Sequence, residues 1–136
     1  MIIDSNILVY SINKRSPKHK KAQKFLLDNM GNLEVAHQNI FESIRILTHS
    51  KFPNPMKIND ALKAVEGLLE GCTIISPNWK THNIALLLIK KYRLSSDIVF
   101  DAYLAATALS NDIDIIATNN AKDFKKFTEL KIINPF

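Results

Sequence analysis

Five short apolar-rich runs, residues 1–3, 33–36, 72–75, 113–117 and 130–133, are separated for the most part by stretches whose apolar residues recur at helical spacing. Strands this short and this apolar are buried on both faces, and the helices between them supply the cover. The pattern predicts an α/β fold with a central, mostly parallel sheet. Ser16 offers an N-cap and Pro17 a first helical position for a segment that places Ala22, Phe25, Leu26 and Met30 on one face and ends at Gly31. Ile40, Phe41, Ile44 and Leu47 mark the next helix, and Pro53 and Pro55 break the pattern after it. Ile58, Ala61, Leu62, Val65, Leu68 and Leu69 form a helical stripe closed by Gly71. A further helix covers roughly 80–93, and Ser95, Ser96 and Asp97 offer caps for a nearly all-apolar one over 98–109. No repeat, linker or low-complexity tract is visible, so residues 1–136 read as one domain.

Composition narrows the chemistry by exclusion. Gly31, Gly67 and Gly71 are the only glycines, and none stands in a P-loop or dinucleotide-binding spacing. Cys72 is alone, so an internal disulfide and a cysteine-rich zinc cluster are both out of reach, and the chain reads as cytoplasmic. No pair among His19, His37, His49 and His82 has the i, i+4 spacing of a helical zinc site. Met1-Ile2-Ile3 is too short for a signal-peptide core, and no apolar run approaches the ~20 residues of a membrane helix. Lys plus Arg number 18 against 13 Asp plus Glu, a net charge of +5 that favours an anionic partner, nucleic acid before membrane. Aromatic residues are sparse and show no stacking platform for single strands.

Against that basic background a few acids stand out by position. In open parallel sheets ligands bind beyond the carboxyl ends of the strands. Asp4 follows the first strand and Thr118-Asn119-Asn120 follows the fourth. Asp4 there is either an ordinary cap or a site residue. Asp101 sits in a helix whose other residues, Thr107 excepted, are apolar up to Leu109. A helix apolar all round is buried, and a carboxylate carried into it needs a metal, a cation or strong donors. Free first-turn amides or a nearby lysine are the alternative partners. Glu42 lies across its helix from Ile40, Ile44 and Leu47, so periodicity makes it solvent-facing. Asp123 beside Phe124 reads equally as a surface acid.

Together these segments resemble the PIN-domain nucleases, and in particular the VapC-type toxins of type II toxin–antitoxin pairs. Met1-Ile2-Ile3-Asp4-Ser5-Asn6 is similar to the family's apolar strand ending in Asp-x-Asn, and Asn39-Ile40-Phe41-Glu42 to its helical glutamate. The helix from Ile98 through Asp101-Ala102 to Ala105-Ala106 looks like the Asp-Ala-x-x-Ala-Ala helix, and Thr118-x-Asn120-x-x-Asp123-Phe124 like the closing motif. The resemblance spans essentially the whole chain. It implies a three-layer α/β/α PIN-like fold and an Mg2+-dependent endoribonuclease, with Mn2+ as the alternative ion. It also implies an RNA substrate, an antitoxin partner and a homodimer. Asp4, Glu42 and Asp101 take the acidic-site roles, which reverses the periodicity reading of Glu42. Asn120 stands where many relatives have an acid. An amide coordinates through oxygen but adds no charge, so the fourth position falls to Asn120, to Asp123, or to neither.

The chemistry of such a cluster is definite. Neighbouring carboxylates repel, and without a cation at least one keeps its proton. A hard divalent ion removes that cost, and oxygen-only ligation favours Mg2+ or Mn2+. Asp4 and Asp101 are the expected direct ligands, with Glu42 on a second ion or positioning water. Ser5, Asn6, Thr118 and Asn120 are expected to orient the carboxylates by hydrogen bonds. Arg45 and Lys122 are the candidates for holding the RNA backbone, whereas the lysines over 18–24 read as a solvated helix face. A haloacid-dehalogenase-like phosphatase needs Asp-x-Asp, where Asn6 replaces the second acid. A phospho-receiver needs an acceptor Asp after the middle strand, where Ser76-Pro77 follows. A degenerate PIN domain that binds RNA or protein without catalysis is the remaining alternative.

Overall fold

In the computed structural model, which describes residues 1–136, the apolar runs become β1 (Ile2–Ile3), β2 (Glu34–Ala36), β3 (Thr73–Ile75), β4 (Ile115–Ala117) and β5 (Lys131–Ile133). They form one five-stranded sheet in the order β3-β2-β1-β4-β5, and every neighbouring pair is parallel. The sequence expectation of a mostly parallel sheet is met in full. Seven helices surround it: α1 (Ser5–Ile12), α2 (His19–Asp28), α3 (His37–Thr48), α4 (Ile58–Leu69), α5 (Thr81–Tyr92), α6 (Ile98–Ser110) and α7 (Ala121–Phe124). No helix is long and apolar enough to cross a membrane.

The layering follows from the two-residue period of a strand. Ile2, Ala36 and Ile116 point into one core with Ala85 and Leu88 of α5 and the buried face of α6. Their chain neighbours Ile3, Val35 and Ala117 point into a second core with Ile7 and Leu8 of α1 and Ala22 and Leu26 of α2. A third, smaller cluster joins Val9, Leu47, Ala61 and Val65 where α1, α3 and α4 meet. Helices therefore cover both faces, as a parallel sheet requires.

The structure departs from the sequence reading at several places. Helix α1 has no periodic signature because Ile7, Leu8 and Val9 are consecutive and all buried, divided between two clusters. A helix packed on several sides shows no apolar stripe. Ser16 and Pro17 do not open α2. Ser16 instead closes a turn, its carbonyl accepting from His19 N at 3.0 Å and its hydroxyl from Lys18 N at 3.2 Å. Met30 lies beyond the end of α2 and is exposed. Helix α6 is buried from Ala102 onward apart from Tyr103 and Leu109, but its first turn is open, with Phe100 63% exposed. Trp79 is also exposed.

The strand order fixes where a site can lie. From β1 the chain steps outward to β2 and β3, then returns across the sheet to β4 on the other side of β1. The connections leaving β1 and β4 diverge, and a crevice opens beyond their carboxyl ends. Asp4 N donates to Ala117 O at 3.0 Å and Thr118 N to Ile133 O at 2.9 Å, so the ladder delivers both residues to that crevice.

Candidate active site

Asp4 occupies the N-cap position of α1, yet its side chain caps nothing. Its Oδ2 accepts from Thr118 Oγ1 at 2.6 Å and from Asn6 Nδ2 at 2.5 Å, while Ser5 Oγ approaches Oδ1 at 3.3 Å. The cap reading of Asp4 therefore gives way to a carboxylate held across the β1–β4 junction. Burial raises its pKa most, against the lowering effect of the Thr118 hydroxyl, and the Glu42 charge raises it further. Asp4 is only 6% exposed. A buried carboxylate with donors on its flank is oriented, and its charge still lacks a cation.

The remaining acids arrive from separate elements. A cleft of about 780 Å³ is lined by Asp4, by Gln38, Phe41, Glu42 and Arg45 of α3, by Asp97 and Ile98, Phe100, Asp101 and Leu104 of α6, and by Asp123 of α7. Glu42 accepts from Ser5 Oγ at 3.0 Å, which ties α3 to the residue after Asp4. Its periodicity-based assignment to solvent is overturned: it is half-buried on the cleft wall. Asp101 enters none of the four salt bridges. Its carboxyl is pushed up to about 6, by burial first and then by the charges of Asp123, Asp4 and Glu42, with Lys126 opposing. The alternative of a lysine-paired first-turn acid therefore fails. Repulsion among the carboxylates outweighs the one opposing lysine.

These acids share a cleft without forming a tight cluster. No three His, Cys, Asp or Glu side chains stand close enough together to form a ready cation cage. Every anionic side chain in the cleft wall is a carboxylate, and no histidine or cysteine lines it. That donor set suits a hard cation, which needs only one or two carboxylates and keeps several waters.

Not every candidate reaches the cleft. Asn120 and Lys122 are exposed and absent from its lining, and Asn120 contributes its backbone N–H, 2.9 Å from Thr118 Oγ1. Asp123, though exposed, lines it. Arg45 does too, 3.8 Å from Glu42 with most of its side chain in solvent. Three contributors escaped the sequence reading. Asp97 lines the cleft one helical turn before Asp101, and the i, i+4 spacing was the available signal. Asn119 donates its N–H to Asn6 Oδ1 at 3.0 Å, and Lys18 Nζ donates to Asn119 Oδ1 at 2.5 Å. Lys18 lies over the rings of Tyr10 at 5.1 Å and Phe136 at 5.0 Å, so one lysine of the supposedly solvated run braces the network behind Asp4. No local pattern marks those contacts. The third is the aromatic rim: Phe41 and Phe100, 70% and 63% exposed, both line the cleft. Tertiary placement brings these two aromatic side chains, 59 positions apart in the sequence, to one cleft.

The comparisons with known proteins bear on the fold and the family. Ribonuclease VapC24 of Mycobacterium tuberculosis is 26% identical, covering 98% of this chain and 94% of its own. Ribonuclease VapC33 of the same species is 26% identical over 99% and 97%. Among solved structures, the DNA-bound VapBC of Salmonella typhimurium superposes with a TM-score of 0.75 at 16% identity, covering 99% of this chain and 97% of that one. A toxin–antitoxin complex from Klebsiella pneumoniae gives 0.73 at 19% identity, again over 99% and 97%. The PIN domain family model matches residues 1–130. With an all-parallel α/β/α sheet and this match over nearly the whole chain, the chain belongs to the PIN domain family.

Proposed function

We propose that this chain is an Mg2+-dependent endoribonuclease and the toxin of a toxin–antitoxin pair, acting in the cytoplasm. The observation that carries the reading is the convergence of Asp4, Glu42, Asp101 and Asp123, from four separate segments, on one cleft at the sheet's switch point. Burial first, and then their mutual repulsion, holds the Asp101 carboxyl near 6, a cost that a divalent cation removes. The relatives' names, ribonucleases and toxin–antitoxin complexes, support the same direction.

In this reading Asp4 and Asp101 hold the ion directly and Glu42 completes or extends the site. An ion held there would supply a water of lowered pKa and charge neutralisation for a phosphodiester oxygen. Thr118 and Asn6 keep the Asp4 carboxylate facing the cleft, and Ser5 links Asp4 to Glu42. Asp123 adds negative charge at the mouth and stands in the place of the fourth acid. Arg45 is the cleft's own cation for a phosphate, with Lys122 outside it. An antitoxin protein and a second copy of the chain are the proposed partners.

Incubating the purified chain with structured RNAs and Mg2+ or Mn2+, with and without chelator, tests the reading beside Asp4→Asn and Asp101→Asn. Cleavage that survives chelator, or persists in the folded Asp101→Asn protein, would sink it. The exposed amide Asn120, where many relatives carry an acid, favours a second reading as a non-catalytic RNA- or protein-binding module. Tight RNA binding with no metal-stimulated cleavage would select that one. Light scattering of the chain alone and with the product of the neighbouring gene tests both partners.

A further inference from the structure

The cleft has a chemical imbalance. Five carboxylates (Asp4, Glu42, Asp97, Asp101 and Asp123) line it against the single guanidinium of Arg45. One bound divalent cation leaves that wall negative and a second only brings it to neutrality, so a polyanion gains little from the general field inside the cleft. Affinity for a nucleic acid must come there from contacts that do not depend on charge. Two large apolar rings supply them. Phe41 and Phe100 stand in solvent on the cleft wall, and each immediately precedes an acid of the cluster, Glu42 and Asp101. Gln38, one turn before Phe41, donates from Nε2 to the Phe100 carbonyl at 3.2 Å, which pins the two ring-bearing turns to each other.

Resting on the ribonuclease reading, we infer that Phe41 and Phe100 are the side chains that stack unpaired nucleobases beside the scissile phosphodiester. A base in a duplex has both π-faces covered by its neighbours and cannot offer one to a ring. An unpaired base offers either face, and stacking on an aromatic side chain tolerates any sequence. An apolar protein surface fits this wall less well, because covering the rings would also strip water from carboxylates that have no partner. A base leaves its sugar–phosphate edge in solvent and toward the cations.

Phe41→Leu and Phe100→Leu keep an apolar side chain but remove the π-face, and both positions are exposed, so the fold is retained. Two measurements on the full chain decide the matter. The first is fluorescence of 2-aminopurine placed in a short unstructured RNA, titrated with the Asp101→Asn protein so that binding is read without cleavage. The second is steady-state cleavage of the same RNA, free and annealed to its complement. Stacking predicts quenching by the Asp101→Asn protein that the added Leu changes abolish. It also predicts a KM for the single strand raised about 5- to 150-fold per ring lost, with the preference for single over double strand diminished. Phe100→Trp restores or exceeds the original affinity. Unchanged quenching and an unchanged single-strand preference in the Leu variants would overturn the inference. So would RNA affinity that stays constant while the Leu changes dissociate a dimer or release a protein partner. If the parent chain cleaves no RNA, the ribonuclease reading fails by itself, and the quenching titration still decides whether the rings stack on bases.

Discussion

Asp4 and Asp101 face the same cleft, but the molecule holds them in different ways. Asp4 follows a central strand, is almost fully buried, and has Thr118, Asn6 and Ser5 on its oxygens. Behind it a relay runs through Asn6 and Asn119 to Lys18. Asp101 stands on the open first turn of a helix, half-buried, in no ion pair, with three like charges acting on it. One carboxylate is positioned by the scaffold and the other is held in a state of electrostatic cost. Buried strand ends build precision, because the ladder that sets the backbone also sets the side chain. Helix starts at a cleft mouth leave a group free to respond to whatever binds.

The sharpest way to break this contrast is to neutralise each acid in turn. Asp4→Asn and Asp101→Asn should each lower metal-dependent cleavage by about a thousandfold, the scale of several kcal/mol expected of a metal ligand. Their stabilities should diverge. Asp4→Asn replaces an acceptor by a donor facing Thr118 and Asn6, and its melting temperature should fall. Asp101→Asn removes repulsion and should melt at the same temperature or higher. Equal destabilisation by the two would remove the distinction.

A smaller effect is expected behind Asp4. Thr118→Val keeps the shape but deletes the 2.6 Å donor, and should cost about 10- to 100-fold in metal affinity or rate. Activity indifferent to that change would mean that Asp4 needs no orienting. Lys18→Met should act in the same direction and more weakly, read as reduced kcat with little change in KM.

The pH dependence sharpens the other half of the contrast. The folded protein holds the Asp101 proton up to about 6 instead of the ordinary 3.8, whereas the unfolded chain releases it earlier. The native state therefore binds more protons over that interval, and stability falls as pH rises through it. The loss is complete above about 6 and is absent below the ordinary value. Melting temperatures of the metal-free protein across this range should show a downward component that Asp101→Asn lacks. Mg2+ or Mn2+ should raise the melting temperature more near neutral pH than at pH 5. The smallest effects belong to the rim cations: Arg45→Ala should raise KM about threefold and Lys122→Ala by less, since exposed charges are screened.

Much of the fold was legible. All five strands and the helices α3 to α6 lay within a few residues of their sequence-derived positions, because short apolar runs and helical stripes report burial directly. Helix α1 was invisible for the opposite reason, being buried on too many sides to show a period. Of the site, Asp4 and Asp101 stand out by position and Glu42 and Asp123 only by motif resemblance, and all four line one cleft. Asn120 comes from the closing motif and Lys122 from nearness in sequence, and neither lines it. Asp97 was read only as a cap candidate, although a cap and a cleft acid can be the same residue.

The sequence by itself determined the order of elements, the parallel sheet and the family, since hydrophobic spacing and motif order are local properties. Only the tertiary structure decided what each polar or aromatic residue faces. A helical wheel places Glu42 in solvent and Phe41 on an apolar stripe, yet the packing of α3 beside α6 puts both on the wall of one cleft. Lys18 and Asn119, 101 positions apart, meet because β1 and β4 are neighbours. Which side of a helix counts as inside depends on what packs against it, and that is a property of the whole chain.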